Sequence, residues 1–235
     1  MGCAIVFLVL TVPPVQAAAE GGCREGPCHR AFEDGEVGHA PFVNGRCEAC
    51  HQGSGSRHPS DVGPEFSLAY GGGGELCLSC HEGMARRIAK TASVHAPVTE
   101  GACLECHDAH SSSFAGLLTR RMRGDASPGL PARGGFSRED FSLCWSCHDV
   151  YMVVLKKTTS RTGFRNGPQN LHYVHVSGGK GYACQACHVP HASQGEMLIG
   201  RSLAWTEDLV RYSRRPGGGE CSPGCHEPRA YRRAE

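Results

Sequence analysis

Seven times in this chain a pair of closely spaced cysteines is followed at once by a histidine. Five pairs share one spacing: CEACH (Cys47, Cys50, His51), CLSCH (Cys77, Cys80, His81), CLECH (Cys103, Cys106, His107), CWSCH (Cys144, Cys147, His148) and CQACH (Cys184, Cys187, His188). Two are stretched: CREGPCH (Cys23, Cys28, His29) and CSPGCH (Cys221, Cys225, His226). These motifs take up every cysteine after Cys3. They limit the possible folds because each pair of thiols must be met by something: a metal, a disulfide or a covalently held group.

Cys-x-x-Cys-His is the attachment signature of c-type haem. Two residues between the cysteines span about one helical turn, so both thiols can reach the two vinyl groups on one porphyrin edge, and the next residue brings its imidazole to the iron. Paired cysteines also make zinc sites, and an exported chain can oxidise its thiols. Neither explains a histidine directly after the second cysteine in all seven pairs. For the stretched pairs the alternative stays open, because the longer loop must bulge and a Gly26-Pro27 or Pro223-Gly224 turn could equally close a small disulfide.

The other histidines extend the argument. Of 14 in the chain, seven lie outside the motifs: His39, His58, His95, His110, His172, His175 and His191. An electron-carrying haem needs a second axial ligand, His or Met. After Met1, only Met84, Met122, Met152 and Met197 are present, too few for seven haems, whereas the spare histidines match seven one for one. They are the expected distal ligands, with His29, His51, His81, His107, His148, His188 and His226 proximal. His110 follows His107 by three residues, and His191 follows His188 likewise. Each pair sits on neighbouring faces of one short turn, with the porphyrin in between, so His110 and His191 should each reach a different haem.

The chain also repeats. GHAPFVNGRCEACH at Gly38 matches VHAPVTEGACLECHDAH at Val94 and VHVSGGKGYACQACHVPH at Val174. Each of these is followed by a second motif, which divides the chain into a single-haem segment at 20–37 and two-haem units at 38–92, 93–169 and 170–235. Between motifs, YGGGGE and ASPGLPARGG are breakers. Phe114 to Arg123 could form a short helix, and Val150 to Leu155 is an apolar stretch of either helix or strand. With aromatics at 7% and large aliphatic residues scattered, a polypeptide core alone is thin for this length. The expected fold is mostly coil with short α-helices at the motifs and little or no sheet, the haems forming the core.

The motifs and the segments NLHYVHV and CHVPHAS resemble the doubled-CXXCH family of multihaem c-type cytochromes over roughly residues 38–226. The resemblance implies a low-potential, bis-His electron carrier of the periplasm or cell surface. It also implies that longer cysteine spacers can hold haem. The sequence departs from that pattern in its two stretched motifs and in lacking a histidine close behind CEACH, a role left to His58.

The first nineteen residues carry no charged side chain and have an apolar run, Ala4 to Val12, followed by Pro13-Pro14 and small residues. They read as a secretory signal peptide, cleaved after Ala17 or Ala19 and taking Cys3 with it. The run is too short to span a bilayer, so no stable membrane span is expected after its removal. A formal charge of +1 suggests no nucleic-acid partner. Arg120, Arg121, Arg123, Arg211, Arg214 and Arg215 are candidates for pairing with haem propionates or docking a partner, and they also suit solvated loops. The leading expectation is an electron carrier between a quinol oxidase and other cytochromes, an outer-membrane conduit or an extracellular acceptor. A homo-oligomeric conducting filament is the second. A multihaem reductase of nitrite or hydroxylamine is the third, and it would need an open iron site.

Overall fold

The structure is a computed structural model, and it describes residues 35–53, 66–123, 135–200 and 210–234. The expected signal peptide, the motif Cys23, Cys28, His29, and His58 lie outside the described residues.

Four of the five standard motifs are single 3-10 turns, at Cys47–Ala49, Cys103–Glu105, Cys144–Ser146 and Cys184–Ala186. In each, the second cysteine donates its N–H to the first cysteine's carbonyl at 3.1–3.3 Å. In three of them the motif histidine adds a second bond to the same carbonyl. Two such bonds wind the chain tightly enough to bring both thiols and the imidazole to one side. Among the described residues the α-helices are α1 (Ala40–Val43), α2 (Gly73–Cys80), α3 (Glu82–Lys90), α4 (Ala96–Thr99) and α5 (Tyr151–Val154). CLSCH differs from the other standard motifs in closing α2. A π-helix runs from Tyr173 to Ser177.

The strands are short: β1 (Val37–Gly38), β2 (His51–Gly53), β3 (Phe66–Leu68), β4 (Ser93–Val94), β5 (Ser111–Ser112), β6 (Arg165–Asn166), β7 (Gln169–Asn170) and β8 (Ala192–Ser193). Longer ones follow at the C-terminal end: β9 (Arg211–Arg215), β10 (Gly218–Ser222) and β11 (Arg229–Arg232). All pairing is antiparallel. β1 pairs with β5, β2 with β3, β4 with β8 and β6 with β7, while β11-β10-β9 form the one three-stranded sheet among the described residues. The expectation of mostly coil with short helices agrees with this, and the three-stranded sheet is what it did not foresee. The stretched motif CSPGCH is built on that sheet rather than on a helix. Cys221 lies on β10, and Cys225 follows a bulge at Gly224 with φ 75°.

Two expected elements can be compared directly. Val150 to Leu155 contains α5, with Val153 buried. Phe114 to Arg123 is not a helix. It holds one 3-10 turn, Ala115–Leu117, and Leu118 then bridges back to His107. The stretch returns so that the Thr119 N–H can donate to the Cys106 carbonyl at 2.9 Å, a tertiary pull that outweighs local helix preference.

The same return follows the first motif of every unit. Ala69 N–H bonds the Cys50 carbonyl at 2.9 Å, and Gly200 N–H bonds that of Cys187 at 2.9 Å. The apolar interior is thin. Buried hydrophobic side chains are Ala69, Phe141, Leu143, Val153, Val176, Ala186, Ala192, Val210 and Tyr231, while Leu104, Tyr70 and Met197 are more than half exposed. Such a set is too small and too scattered to hold the chain by itself. Among the described residues no helix is long and apolar enough to cross a membrane.

Candidate metal centres

Each motif histidine of the five standard motifs faces one spare histidine from elsewhere in the chain. The imidazole centroids of His51 and His110 are 6.0 Å apart with planes 6° from parallel. His81 and His39 are 6.2 Å apart at 14°, His107 and His191 5.9 Å at 11°, His148 and His95 6.0 Å at 11°, and His188 and His172 6.4 Å at 29°. Among the described residues no three His, Cys, Asp or Glu gather as a metal cluster would need; the imidazoles gather in twos.

The spacing can be compared with what one iron between two imidazoles requires. Two metal–nitrogen bonds of about 2 Å, plus about 1 Å from each ring nitrogen to its centroid, give about 6 Å. All five pairs meet that figure. The sixth described motif histidine, His226, is one of the charges that act on His175. Burial first, then the charges of Lys180, His226 and Arg229, push His175 below its ordinary pKa, against a bond to the Leu171 carbonyl that raises it.

The local sequence explains how the spare histidines are held. His39 and His95 each precede Ala-Pro and occupy the N-cap of α1 and α4, with φ −70° and −66°. Proline is tolerated in the first turn, where its missing N–H costs nothing, and it starts the helix abruptly. The cap residue therefore stays extended and enters strand pairing. His39 N–H donates to the His110 carbonyl at 2.8 Å, and His95 N–H to the His191 carbonyl at 3.1 Å. Asp108 turns His110 outward by accepting the backbone N–H groups of His110 at 2.7 Å and Ser111 at 3.2 Å. Asn170, fully buried, bonds the carbonyls of Met152 and Leu155 and accepts the Tyr173 N–H, tying α5 to the π-helix that carries His175.

The hydrogen bonds also choose the tautomer. Nδ1 of His39, His107, His175 and His188 donates to the carbonyls of Ala109 (2.9 Å), Gly116 (2.8 Å), Leu171 (2.7 Å) and Met197 (3.0 Å). His226 Nδ1 donates to the Glu227 carbonyl at 2.6 Å, and Thr162 Oγ1 bonds His172 Nδ1 at 2.8 Å. A carbonyl only accepts, so in the five histidines bonded to one, Nδ1 carries the proton and Nε2 keeps a free lone pair for a metal. Burial depresses the pKa of His148, His188 and His191, and holds His172 down to about 4. The neutral imidazole is the form that ligates.

The cysteines are ready for the second half of the chemistry. None of the twelve described cysteines, Cys221 and Cys225 included, is in a disulfide. Neighbouring motifs crowd their thiols together. Cys184 donates to Cys144, which lowers the Cys144 pKa and raises that of Cys184. Burial, then the nearby Cys103, pushes Cys77 to about 11. Burial, then Cys221 and Cys225, pushes Cys187 to about 11. Reduced thiols, imidazole pairs at one-iron spacing and a thin apolar interior together fit haem c at each of the five standard motifs.

Sequence reasoning singled out the histidines and missed the groups that aim them: Asp108, Thr162, Asn170 and the carbonyls of Ala109, Gly116 and Met197. Only the DAH spacing of Asp108 carried a signal, that of an Asx-turn. A family model described as the doubled CXXCH motif matches residues 39–86 and 95–153. No curated protein and no solved structure matches the chain.

Proposed function

Because the chain belongs to the doubled CXXCH motif family of multihaem c-type cytochromes, we propose that it is an exported seven-haem electron carrier in which every iron is closed by two histidines. Five imidazole pairs at 5.9–6.4 Å, each joining a motif histidine to a spare one, carry this reading. His226 with His175 makes a sixth site. His29 and His58 are then left for a seventh.

When bound, haem supplies an iron that alternates between Fe(III) and Fe(II). Two imidazoles favour Fe(III) and hold the potential below that of a His/Met site. The carbonyls on Nδ1 strengthen each imidazole as a donor. Electrostatic coupling between the thiols of consecutive motifs, Cys77 with Cys103, Cys144 with Cys184 and Cys187 with Cys221, supports a row of sites that follows the sequence, along which electrons hop. A quinol oxidase and an outer-membrane or extracellular acceptor are the natural ends of such a row, in the periplasm or at the surface.

Two observations weigh against the other readings. A reductase of nitrite or hydroxylamine needs an open iron, and five of the six described motif histidines already have a spare histidine at 5.9–6.4 Å. A filament built by lending a histidine to the next subunit needs a spare one left over, and five of the six described spare histidines already face a motif histidine of the same chain. The test is intact mass together with electron paramagnetic resonance of the purified protein. Seven haems, all low-spin, is the expected result. A high-spin signal that shifts on adding nitrite would overturn the carrier reading.

A further inference from the structure

Charge is unevenly spread along the chain. Residues 156–234 carry twelve Lys and Arg against five Asp and Glu, whereas residues 35–123 carry eight against nine. The sheet β11-β10-β9 sorts its share by the pleat, since directly opposed residues point to the same side. Tyr212, Arg214, Gly219, Cys221, Arg229 and Tyr231 share one face. The tyrosine part of that face turns inward, the two hydroxyls bonding at 3.0 Å and Tyr231 buried edge-on against Phe164, which in turn contacts His172 and His175, while Arg214 and Arg229 on the same face are exposed. Arg214 and Arg229 therefore share the face of the attachment cysteine Cys221.

The outer face carries Arg211, Ser213, Arg215, Ala230 and Arg232, every one exposed. Arg215 and Arg232 both oppose Gly218, so no β10 side chain stands between them. Glu220 pairs with Arg215, while Arg211 and Arg232 form no ion pair among the described residues. Like charges on neighbouring strands oppose folding, and Glu220 offsets only one of the three arginines here.

We propose that this outer face docks an acidic redox protein, one sheet thickness from the site at Cys221, Cys225 and His226. The proposal rests on a haem being held there. An anionic membrane would also be drawn to arginines. The redox protein is favoured because the face is the back of the strand that carries Cys221, so a partner seated on it lies against an end of the row.

The sign of a salt effect separates this local face from the molecule's total charge. About fourteen propionates, two per haem, set against a formal +1 make the whole holoprotein acidic. Total charge alone would repel an acidic protein, and its reaction would then speed up as salt screens the repulsion. A basic docking face gives the opposite slope.

The experiment is stopped-flow reduction of the full holoprotein by a reduced plant-type ferredoxin, which is small and acidic. The expected rate constant falls about tenfold between roughly 10 mM and roughly 150 mM ionic strength. In Arg211→Glu/Arg215→Glu/Arg232→Glu the fall disappears, while the haem spectrum and the rate with neutral reduced lumiflavin stay unchanged. A rate that rises with salt, or a triple variant that behaves as the wild type, overturns the proposal. So does co-sedimentation with phosphatidylglycerol vesicles, lost in the triple variant, alongside a flat ferredoxin response. Intact mass of the same preparation reads the haem at Cys221 and Cys225 separately. An empty site overturns the haem assignment and the docking proposal with it, and a loaded site with a flat salt response overturns the docking proposal alone.

Discussion

A single imidazole illustrates how much the chain invests in aim. His191 lies three residues beyond His188, yet its ring stands against His107, in the preceding unit. With the pair on one iron, His191→Ala leaves one high-spin haem. Adding Cys103→Ala and Cys106→Ala, which removes that haem, should abolish the high-spin signal, whereas adding Cys184→Ala and Cys187→Ala should leave it. The reverse pattern would assign His191 to the CQACH haem. His172 gives a prediction in pH. Burial first, then His188 and His175, hold it down to about 4 in the folded chain. An unfolded histidine takes up its proton near about 6.5. The unfolded state therefore binds more protons below about 6.5, and stability is lost as pH falls through that value, an iron bond adding to burial in keeping His172 unprotonated. Urea midpoints at pH 7 and pH 4.5 measure this, with a smaller drop expected in His172→Gln; equal drops would contradict it. At this scale the sequence was informative about identity and silent about pairing. Seven motif histidines and seven others could be counted, and a spacing of three already barred His191 from the haem of His188. No pattern in the sequence could say that His191 would find His107 across 84 residues, because that pairing is set by the strand contact of β4 with β8.

The elements are short because each has one task. α1 and α4 are single turns that hold a histidine extended at their N-caps, and the Ala-Pro following each histidine announces them. Other devices leave little trace. Met197 and Leu198 sit at φ 56° and 60° and Leu117 at 57°, a left-handed backbone that costs a side-chain-bearing residue about 1 kcal/mol or more. The turns that hold this strain present the Gly116 and Met197 carbonyls to His107 and His188. Glycine makes the closest approach possible between motifs. Gly101, at φ 69°, lies so near Gly74 in α2 that a Cβ on it would meet the Gly74 nitrogen at 3.1 Å and Cα at 3.3 Å. This contact sits just ahead of Cys77 on one side and Cys103 on the other. Gly101→Ala is expected to cost about 1–3 kcal/mol through left-handed strain and crowding, measured as a lowered urea midpoint. Gly83→Ala, whose Cβ would meet nothing within 4 Å in α3, serves as the tolerated control. The helix expected over Phe114 to Arg123 shows the limit of local reading: its residues are helix-compatible, but the bond from Thr119 to Cys106 needs an extended return.

Over the whole molecule the three units are not independent. The second lends His110 to the first, and the third lends His191 to the second, each loan accompanied by a strand pair, β1 with β5 and β4 with β8. A chain ended at residue 169 should therefore gain one high-spin haem at CLECH, and its His95 amide, which donates to the His191 carbonyl in the full chain, should lose protection from hydrogen exchange. Unchanged low-spin spectra would show that the second unit closes itself. The third unit takes His172 from its own segment, so its CQACH site finds both histidines between residues 170 and 226. Such an arrangement constrains how a gene for this architecture can lengthen. A duplicated unit must be inserted between existing ones, where it gives a histidine backward and accepts one from ahead. A copy appended beyond the third would arrive with a histidine to lend and no iron lacking one.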